Sequence, residues 1–156
     1  MEVKLLRACA QDAEEIWKMQ VEAFAQLLYK YQDYDTSPAN ETVDRVRYKL
    51  EQNHTYFYFI EADGQTVGAI RVIDFHDTTT RKRISPLFIL PAYQNRGLAQ
   101  NAIAKAEELH GSSFWCLDTI LQEKGNCHLY EKMGYHLTGK TKAINDKMTL
   151  VFYEKD

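Results

Sequence analysis

One stretch decides how this chain folds: Ile84–Gly111, which reads ISPLFILPAYQNRGLAQNAIAKAEELHG. Residues 84–90 are apolar and rich in strand formers, and Pro91 ends the run because proline has no N–H to donate to a sheet. From Leu98 onward apolar residues recur at helical spacing, and Gly111 offers a left-handed C-terminal stop. The stretch therefore predicts a strand, a tight turn and a helix.

The turn before this helix has the properties of a phosphate-binding cradle. The first N–H groups of a helix lack intrahelical partners, and the helix dipole adds partial positive charge there. Gly97 and Ala99 keep side chains out of the approach, and Arg96 adds a formal charge beside it. Judged by its spacing alone, the turn is equally well explained as an ordinary strand-to-helix connection with a glycine for its geometry.

Length and composition describe an ordinary globular protein. The 156 residues are 45% apolar and 26% charged, which predicts one domain over residues 1–156. A net charge of −3 with scattered basic residues predicts no nucleic-acid partner. Cys9, Cys116 and Cys127 are an odd number without C-x-x-C spacing, so neither a disulfide framework nor a metal site is predicted. No apolar run suits a signal peptide or a membrane span, so we expect a cytoplasmic protein without membrane contact.

The remaining elements follow from apolar spacing and turn signals. They are, in order, a strand at Val3–Leu6, a helix opened by a capping box of Asp12 and Glu15 and ending near Tyr29, a second helix opened by Ser37 and Pro38, an antiparallel meander of strands at 55–60, 66–75 and 82–90, the central helix, a strand at 114–120 parallel to its predecessor, a short helix at 125–133, and closing strands at 135–137 and 148–153. This is an α/β (α+β) fold with a mixed, mostly antiparallel sheet of about seven strands and four helices.

The turn and the order of elements together resemble a known family. The segment Gln94-Asn95-Arg96-Gly97-Leu98-Ala99 looks like the acetyl-CoA signature Q/R-x-x-G-x-G/A of GNAT-type N-acetyltransferases. A second segment, NCHLYEKMGY from Asn126 to Tyr135, is similar to the family segment in which an asparagine, a tyrosine and a glycine–aromatic pair follow one another. The order β-α-α-β-β-β-α-β-α-β-β extends the resemblance over nearly the whole chain.

The resemblance implies which residues bind acetyl-CoA. The backbone around Phe88 and Ile89 is expected to pair with the pantetheine amides, as a peptide adds to a sheet edge, where the parallel strands splay apart after Ile89. Asn126 is expected to bind the pantetheine arm, and Tyr130 to protonate the leaving thiolate. Without the resemblance, Asn126 is better explained as a helix cap and Tyr130 as a core side chain. The turn residues expected at the cofactor are Gln94, Asn95, Arg96, Gly97, Leu98, Ala99 and Gln100.

The implied function is an acetyl-CoA-dependent N-acetyltransferase that acts on a primary amine of a small molecule or a peptide. The amine attacks the thioester directly in a ternary complex, so orientation of both reactants supplies much of the rate. A protonated amine must first lose a proton to a base or a water chain. The candidate bases are Glu22, Asp33, Asp35, Asp74, His76, Asp118 and His128. A non-catalytic acyl-CoA-binding regulatory module is the alternative function, although such a protein needs no acid beside the sulfur.

The acceptor is expected beside the segment that joins the first two helices. Here that segment carries Tyr31, Asp33 and Asp35, whose rings and carboxylates suit a cationic amine. The alternative is a solvated loop whose tyrosines pack on the sheet edge. The edge of the last hairpin is expected to be able to support a homodimer.

Overall fold

The computed structural model describes residues 2–156; Met1, the first residue of the expected domain, lies outside the described residues. The seven strands are β1 (Val3–Arg7), β2 (Thr55–Ala62), β3 (Gln65–Ile73), β4 (Lys82–Ile89), β5 (Trp115–Ile120), β6 (His136–Ala143) and β7 (Thr149–Lys155). The four α-helices are α1 (Ala13–Tyr31), α2 (Val43–Glu51), α3 (Leu98–His110) and α4 (Lys124–Lys132). The predicted order and type of elements are therefore confirmed.

All seven strands form one mixed sheet in the order β1-β2-β3-β4-β5-β7-β6. The hairpin at Asp63 and Gly64 joins β2 to β3, and β4 completes the antiparallel meander. The crossover through α3 returns the chain to β5, which lies parallel to β4. Sheet order thus places β4 and β5 at the centre of the sheet, with the turn that precedes α3 at the end of β4.

The helices cover both faces of the sheet. Helices α1 and α2 pack on one face through Ile16 and Val46, which meet Phe57 and Phe88. Helices α3 and α4 cover the other face, where Ile103 packs among buried side chains of the central strands. Within residues 2–156, no helix combines the length and apolar character needed to cross a bilayer.

The two central strands separate almost as soon as they meet. Strands β4 and β5 are paired only at Lys82 and Arg83, so the splay begins at Ile84. The expectation that it begins after Ile89 is wrong by six residues. The resulting gap extends along most of β4, and it is the opening around which the candidate site is built.

A bulge in β4 shapes one wall of this gap. The β3–β4 register passes from Ile70 opposite Leu87 to Val72 opposite Ile84, so Arg71 faces two residues of β4. The guanidinium of Arg71 is buried and donates to the carbonyl oxygen of Ser85 at 3.0 Å. Since the bulge lies where β4 leaves β5, Arg71 fixes the backbone at the start of the splay.

Three local details differ from the sequence predictions. Asp12 stands at the N-terminus of α1 as predicted, but its side chain does not cap this helix. It accepts the backbone N–H of Cys9 at 2.9 Å, because the chain first makes a short 3-10 turn. Ser37 and Pro38 open a second 3-10 turn, and α2 begins only after Thr42, whose hydroxyl caps it. The strand predicted at 135–137 extends instead over His136–Ala143 and includes Gly139.

Candidate functional site

Two neighbouring cavities open along the gap. The loop cavity, of about 420 Å³, lies between the end of β4, the start of α3 and the start of α4. The gap cavity, of about 280 Å³, lies between β4 and β5 beside the segment that links α1 to α2. Both are lined by Phe24, Leu27, Leu87, Asn126 and Tyr130. Because they share this wall, groups bound in the two cavities would meet there.

The turn before α3 is open, as its sequence predicts. Gly97 has a φ of +76°, and a Cβ built there would meet nothing within 4 Å. Asn95 also has a left-handed φ, of +65°. The side-chain amide of Gln94 donates to the carbonyl oxygen of Ile89 at 3.0 Å, which fastens the turn to the end of β4.

The first turn of α3 offers backbone rather than side-chain contacts. Gly97 O accepts from Asn101 N at 3.1 Å, so the N–H groups of Leu98, Ala99 and Gln100 precede the first intrahelical bond. The side chain of Leu98 is 2% exposed and belongs to the core, which leaves only its backbone for a ligand. All three residues line the loop cavity.

Arg96 is the one residue of the expected cofactor-binding turn that lies off this cavity. Its guanidinium lies 5.7 Å from the ring centroid of Tyr93 and donates to the carbonyl oxygen of Ala92 at 3.4 Å. An anion at this turn would therefore contact helix N–H groups and not Arg96.

The backbone of β4 presents one set of polar groups to the loop cavity. Leu90 N donates to Val67 O at 2.8 Å, so Leu90 and Val67 form a hydrogen-bonded pair. Bonded and non-bonded pairs alternate along an antiparallel ladder. Ile89, opposite Gly68, consequently turns its N–H and C=O away from β3 and into the gap, whereas Phe88 turns its own toward β3. Of the two, Ile89 is the residue whose backbone faces the opening.

Helix α4 places Asn126 and Tyr130 on the shared wall. Asn126 lies in the first turn of the helix and is exposed, and Tyr130, one turn on, is 9% exposed. The Tyr130 ring packs at 6.0 Å from the ring centroid of Tyr135 and 6.2 Å from that of Tyr153. Burial, and to a smaller extent the charge of Asp118, raises the pKa of Tyr130 well above its usual value. The hydroxyl therefore keeps its proton at neutral pH.

A contact missed by sequence reasoning ties α1 to the start of α4. Glu123 lines the loop cavity and accepts from Lys30 Nζ at 2.8 Å and from the Tyr31 hydroxyl at 2.5 Å. Burial alone would raise the pKa of Glu123, but these two hydrogen bonds outweigh it and hold that pKa below its usual value. Residues 92 or more positions apart make this contact, and no local signal in the sequence identifies it.

The residues expected at the acceptor separate in the structure. Asp33 lines the gap cavity and is 5% exposed. Tyr31 lies outside both cavities and instead supports Glu123. Asp35 is exposed and also lies outside them. Asp118, on β5, also lines the gap cavity and forms an ion pair with Arg83.

The other candidate bases lie away from both cavities. Asp74 accepts from His110 Nδ1 at 2.9 Å near the far end of α3, and His76 is beside it. Glu22 and His128 are exposed on their helices. Among the described residues, no three His, Cys, Asp or Glu side chains come close enough to hold a metal ion.

Comparison with known proteins agrees with this geometry. The model of the acetyltransferase (GNAT) family matches residues 6–135. A comparison with curated protein sequences finds no significant match.

Solved structures share the fold at low sequence identity. An acetyltransferase from Thermus thermophilus is 15% identical with a TM-score of 0.72, covering 98% of this chain and 96% of its own. Spermidine N-acetyltransferase from Vibrio cholerae, solved with CoA and spermine, is 16% identical with a TM-score of 0.74, covering 97% and 94%. The microcin C7 self-immunity acetyltransferase MccE, solved with acetyl-CoA and AMP, is 17% identical with a TM-score of 0.72, covering 97% and 91%.

Proposed function

Because the chain belongs to the GNAT acetyltransferase family, we propose that it transfers the acetyl group of acetyl-CoA to a primary amine of a small molecule or a peptide. The observation that carries the proposal is the pair of cavities that meet at Asn126 and Tyr130. A reaction between two bound molecules needs two adjoining spaces and a group for proton transfer where they join.

In this proposal the loop cavity holds acetyl-CoA. The N–H groups of Leu98, Ala99 and Gln100 bind the pyrophosphate, with Gly97 keeping the approach open. The carbonyl oxygen of Ile89 and the amide of Asn126 bind the pantetheine arm, which directs the thioester toward Tyr130. Support for the cofactor comes from neighbours of the same fold that were solved with acetyl-CoA or CoA.

The chemistry is a direct displacement. The amine nitrogen attacks the thioester carbonyl carbon, the C–N bond forms, and the C–S bond breaks with its electron pair on sulfur. Tyr130 gives its proton to the departing thiolate, and the proton that the nitrogen loses as the amide forms restores the tyrosine hydroxyl. The raised pKa of Tyr130 keeps this hydroxyl protonated at neutral pH. The N–H of Ile89, directed into the gap, stabilises the carbonyl oxygen as it gains negative charge.

The ammonium form of the acceptor must lose a proton before attack. Only Asp33 and Asp118 among the seven candidate bases line the gap cavity. The charge of Asp118 contributes to the raised pKa of Tyr130, so this carboxylate acts on the group beside which the reaction is proposed to occur. We assign proton removal to Asp118, directly or through water, with Arg83 holding the carboxylate in place.

Replacing Gly97 with valine is expected to raise the Kd for acetyl-CoA by about tenfold or more, since the branched side chain blocks hydrogen bonds to the pyrophosphate. Gly139→Val is the matched control, because Gly139 also has a left-handed φ, of +91°, with nothing within 4 Å of its Cβ site, but lies in β6. Calorimetric titration of both folded variants measures the difference. Wild-type affinity in Gly97→Val would contradict the pyrophosphate assignment.

Two measurements on the wild-type protein test the proposed function. Calorimetry is expected to detect saturable binding of acetyl-CoA, and free thiol is expected to appear faster when a suitable amine is added. Binding without amine-dependent thiol release from a broad panel of amines would favour a non-catalytic acyl-CoA-binding module. Absence of binding at high micromolar acetyl-CoA would exclude both functions.

A further inference from the structure

The gap cavity holds one carboxylate that the proposed chemistry leaves unused. Asp33 is 5% exposed, and its oxygens accept from the backbone N–H of Thr36 at 3.0 Å and from the Thr36 hydroxyl. Within residues 2–156, no lysine, arginine or histidine forms an ion pair with it. Asp118, in contrast, is paired with Arg83. The cavity thus has one carboxylate with a cationic partner and one without.

A buried carboxylate without a cation is costly, because burial removes water and the two hydrogen bonds from Thr36 replace only part of its stabilisation of the charge. In the part of the chain that the structure describes, the lining of the gap cavity contains no lysine, arginine or histidine that could supply it. A cationic group on a bound molecule is therefore the natural partner of Asp33.

That cationic group is not the amine that reacts. Proton removal from the reacting amine is assigned to Asp118, so Asp33 need not act as a base and can bind a group that stays protonated. The reacting amine belongs beside Tyr130, where the two cavities join. Asp33 is accordingly suited to a second cationic group on the same molecule.

The rest of the cavity wall suits the part of a molecule that would connect two such groups. Apolar side chains form most of the lining. Moving methylene groups out of water and into contact with such side chains lowers the free energy. These residues are Phe24, Leu27, Pro38, Ile84, Pro86, Leu87, Ile120, Met148 and Leu150.

We propose that the acceptor is an alkyl diamine or a molecule of that kind, in which one amine is acetylated beside Tyr130 and a second, non-reacting ammonium binds Asp33. This inference rests on the proposed acetyl transfer and adds the class of acceptor to it. Asp33 is then a residue that determines specificity, and Asp118 serves the reacting amine.

Steady-state rates with matched amines test the proposal. Putrescine and cadaverine are compared with n-butylamine and n-pentylamine, which lack only the second amine. The kcat/KM of wild type is expected to be at least about tenfold higher for the diamines, the usual effect of one charge-assisted hydrogen bond. Asp33→Asn keeps an oxygen that can accept from Thr36. It is expected to remove this preference by lowering kcat/KM for the diamines alone.

The control variant is Asp63→Asn, which removes one carboxylate from the exposed β2–β3 turn and is expected to keep the preference. Equal use of diamines and monoamines by wild type, or an equal fall for both in Asp33→Asn, would overturn this inference alone. Failure to acetylate any amine while acetyl-CoA still binds would overturn the proposed function together with it.

Discussion

Tyr130→Phe is expected to lower kcat for amine acetylation by about 100-fold, within the usual range for loss of a general acid. The Kd for acetyl-CoA is expected to stay within about twofold of wild type, because the hydroxyl acts mainly on the thiolate of the transition state. The ring itself remains, so its packing against Tyr135 and Tyr153 is preserved. Rates of thiol release and calorimetric titration together separate the two effects.

Tyr135→Phe provides a matched control for this variant. The Tyr135 hydroxyl is buried, and among the described residues it has no hydrogen-bond partner, so its removal is expected to leave kcat unchanged and stability equal or higher. Wild-type rates in Tyr130→Phe would show that Tyr130 is not the acid. A similar loss in both variants would trace the effect to packing.

The largest expected effect on stability follows from Gly68→Ala. A Cβ at Gly68 would lie 2.1 Å from the carbonyl oxygen of Phe88, which is backbone and cannot turn away. Strands β3 and β4 would have to separate where β4 borders the loop cavity. We expect the free energy of unfolding to fall by about 3 kcal/mol or more, in the range of severe core substitutions.

Chemical denaturation measures this loss, with Gly125→Ala as the control. Gly125 lies in α4 with nothing within 4 Å of its Cβ site, so alanine there is expected to stabilise the helix by about 0.5–1 kcal/mol. A Gly68→Ala protein as stable as wild type would contradict the close approach of β3 and β4.

The fold was predictable because its decisive signals are local. An apolar strand, a glycine turn and an amphipathic helix follow one another between Ile84 and Gly111, and one helical crossover then requires β5 to lie parallel to β4. The early splay was not predictable, because it depends on the bulge that Arg71 holds against Ser85 from a neighbouring strand. Pro86 within β4 was its one sequence signal, since proline interrupts a ladder.

The candidate site was likewise predictable where its sequence signals are local. Gly97, Asn126 and Tyr130 belong to short segments with recognisable spacing, and the structure brings them to the two adjoining cavities. The hydrogen bonds that Glu123 accepts from Lys30 and Tyr31, at the end of α1, have no such local pattern. The different surroundings of Asp33 and Asp118 likewise arise only from tertiary structure, because an ion pair to Arg83 spans β4 and β5.

Mass spectrometry of the reaction with acetyl-CoA deuterated in its acetyl group tests the central claim most directly. Incubation of the protein with this donor and a diamine is expected to yield the mono-acetylated diamine carrying the full label, together with one equivalent of free CoA. Intact donor, or labelled acetate with no labelled amine, for every member of a broad panel of amines would contradict the account of this protein as an acetyl-CoA-dependent N-acetyltransferase. Failure with the diamine alone would contradict only the proposed class of acceptor.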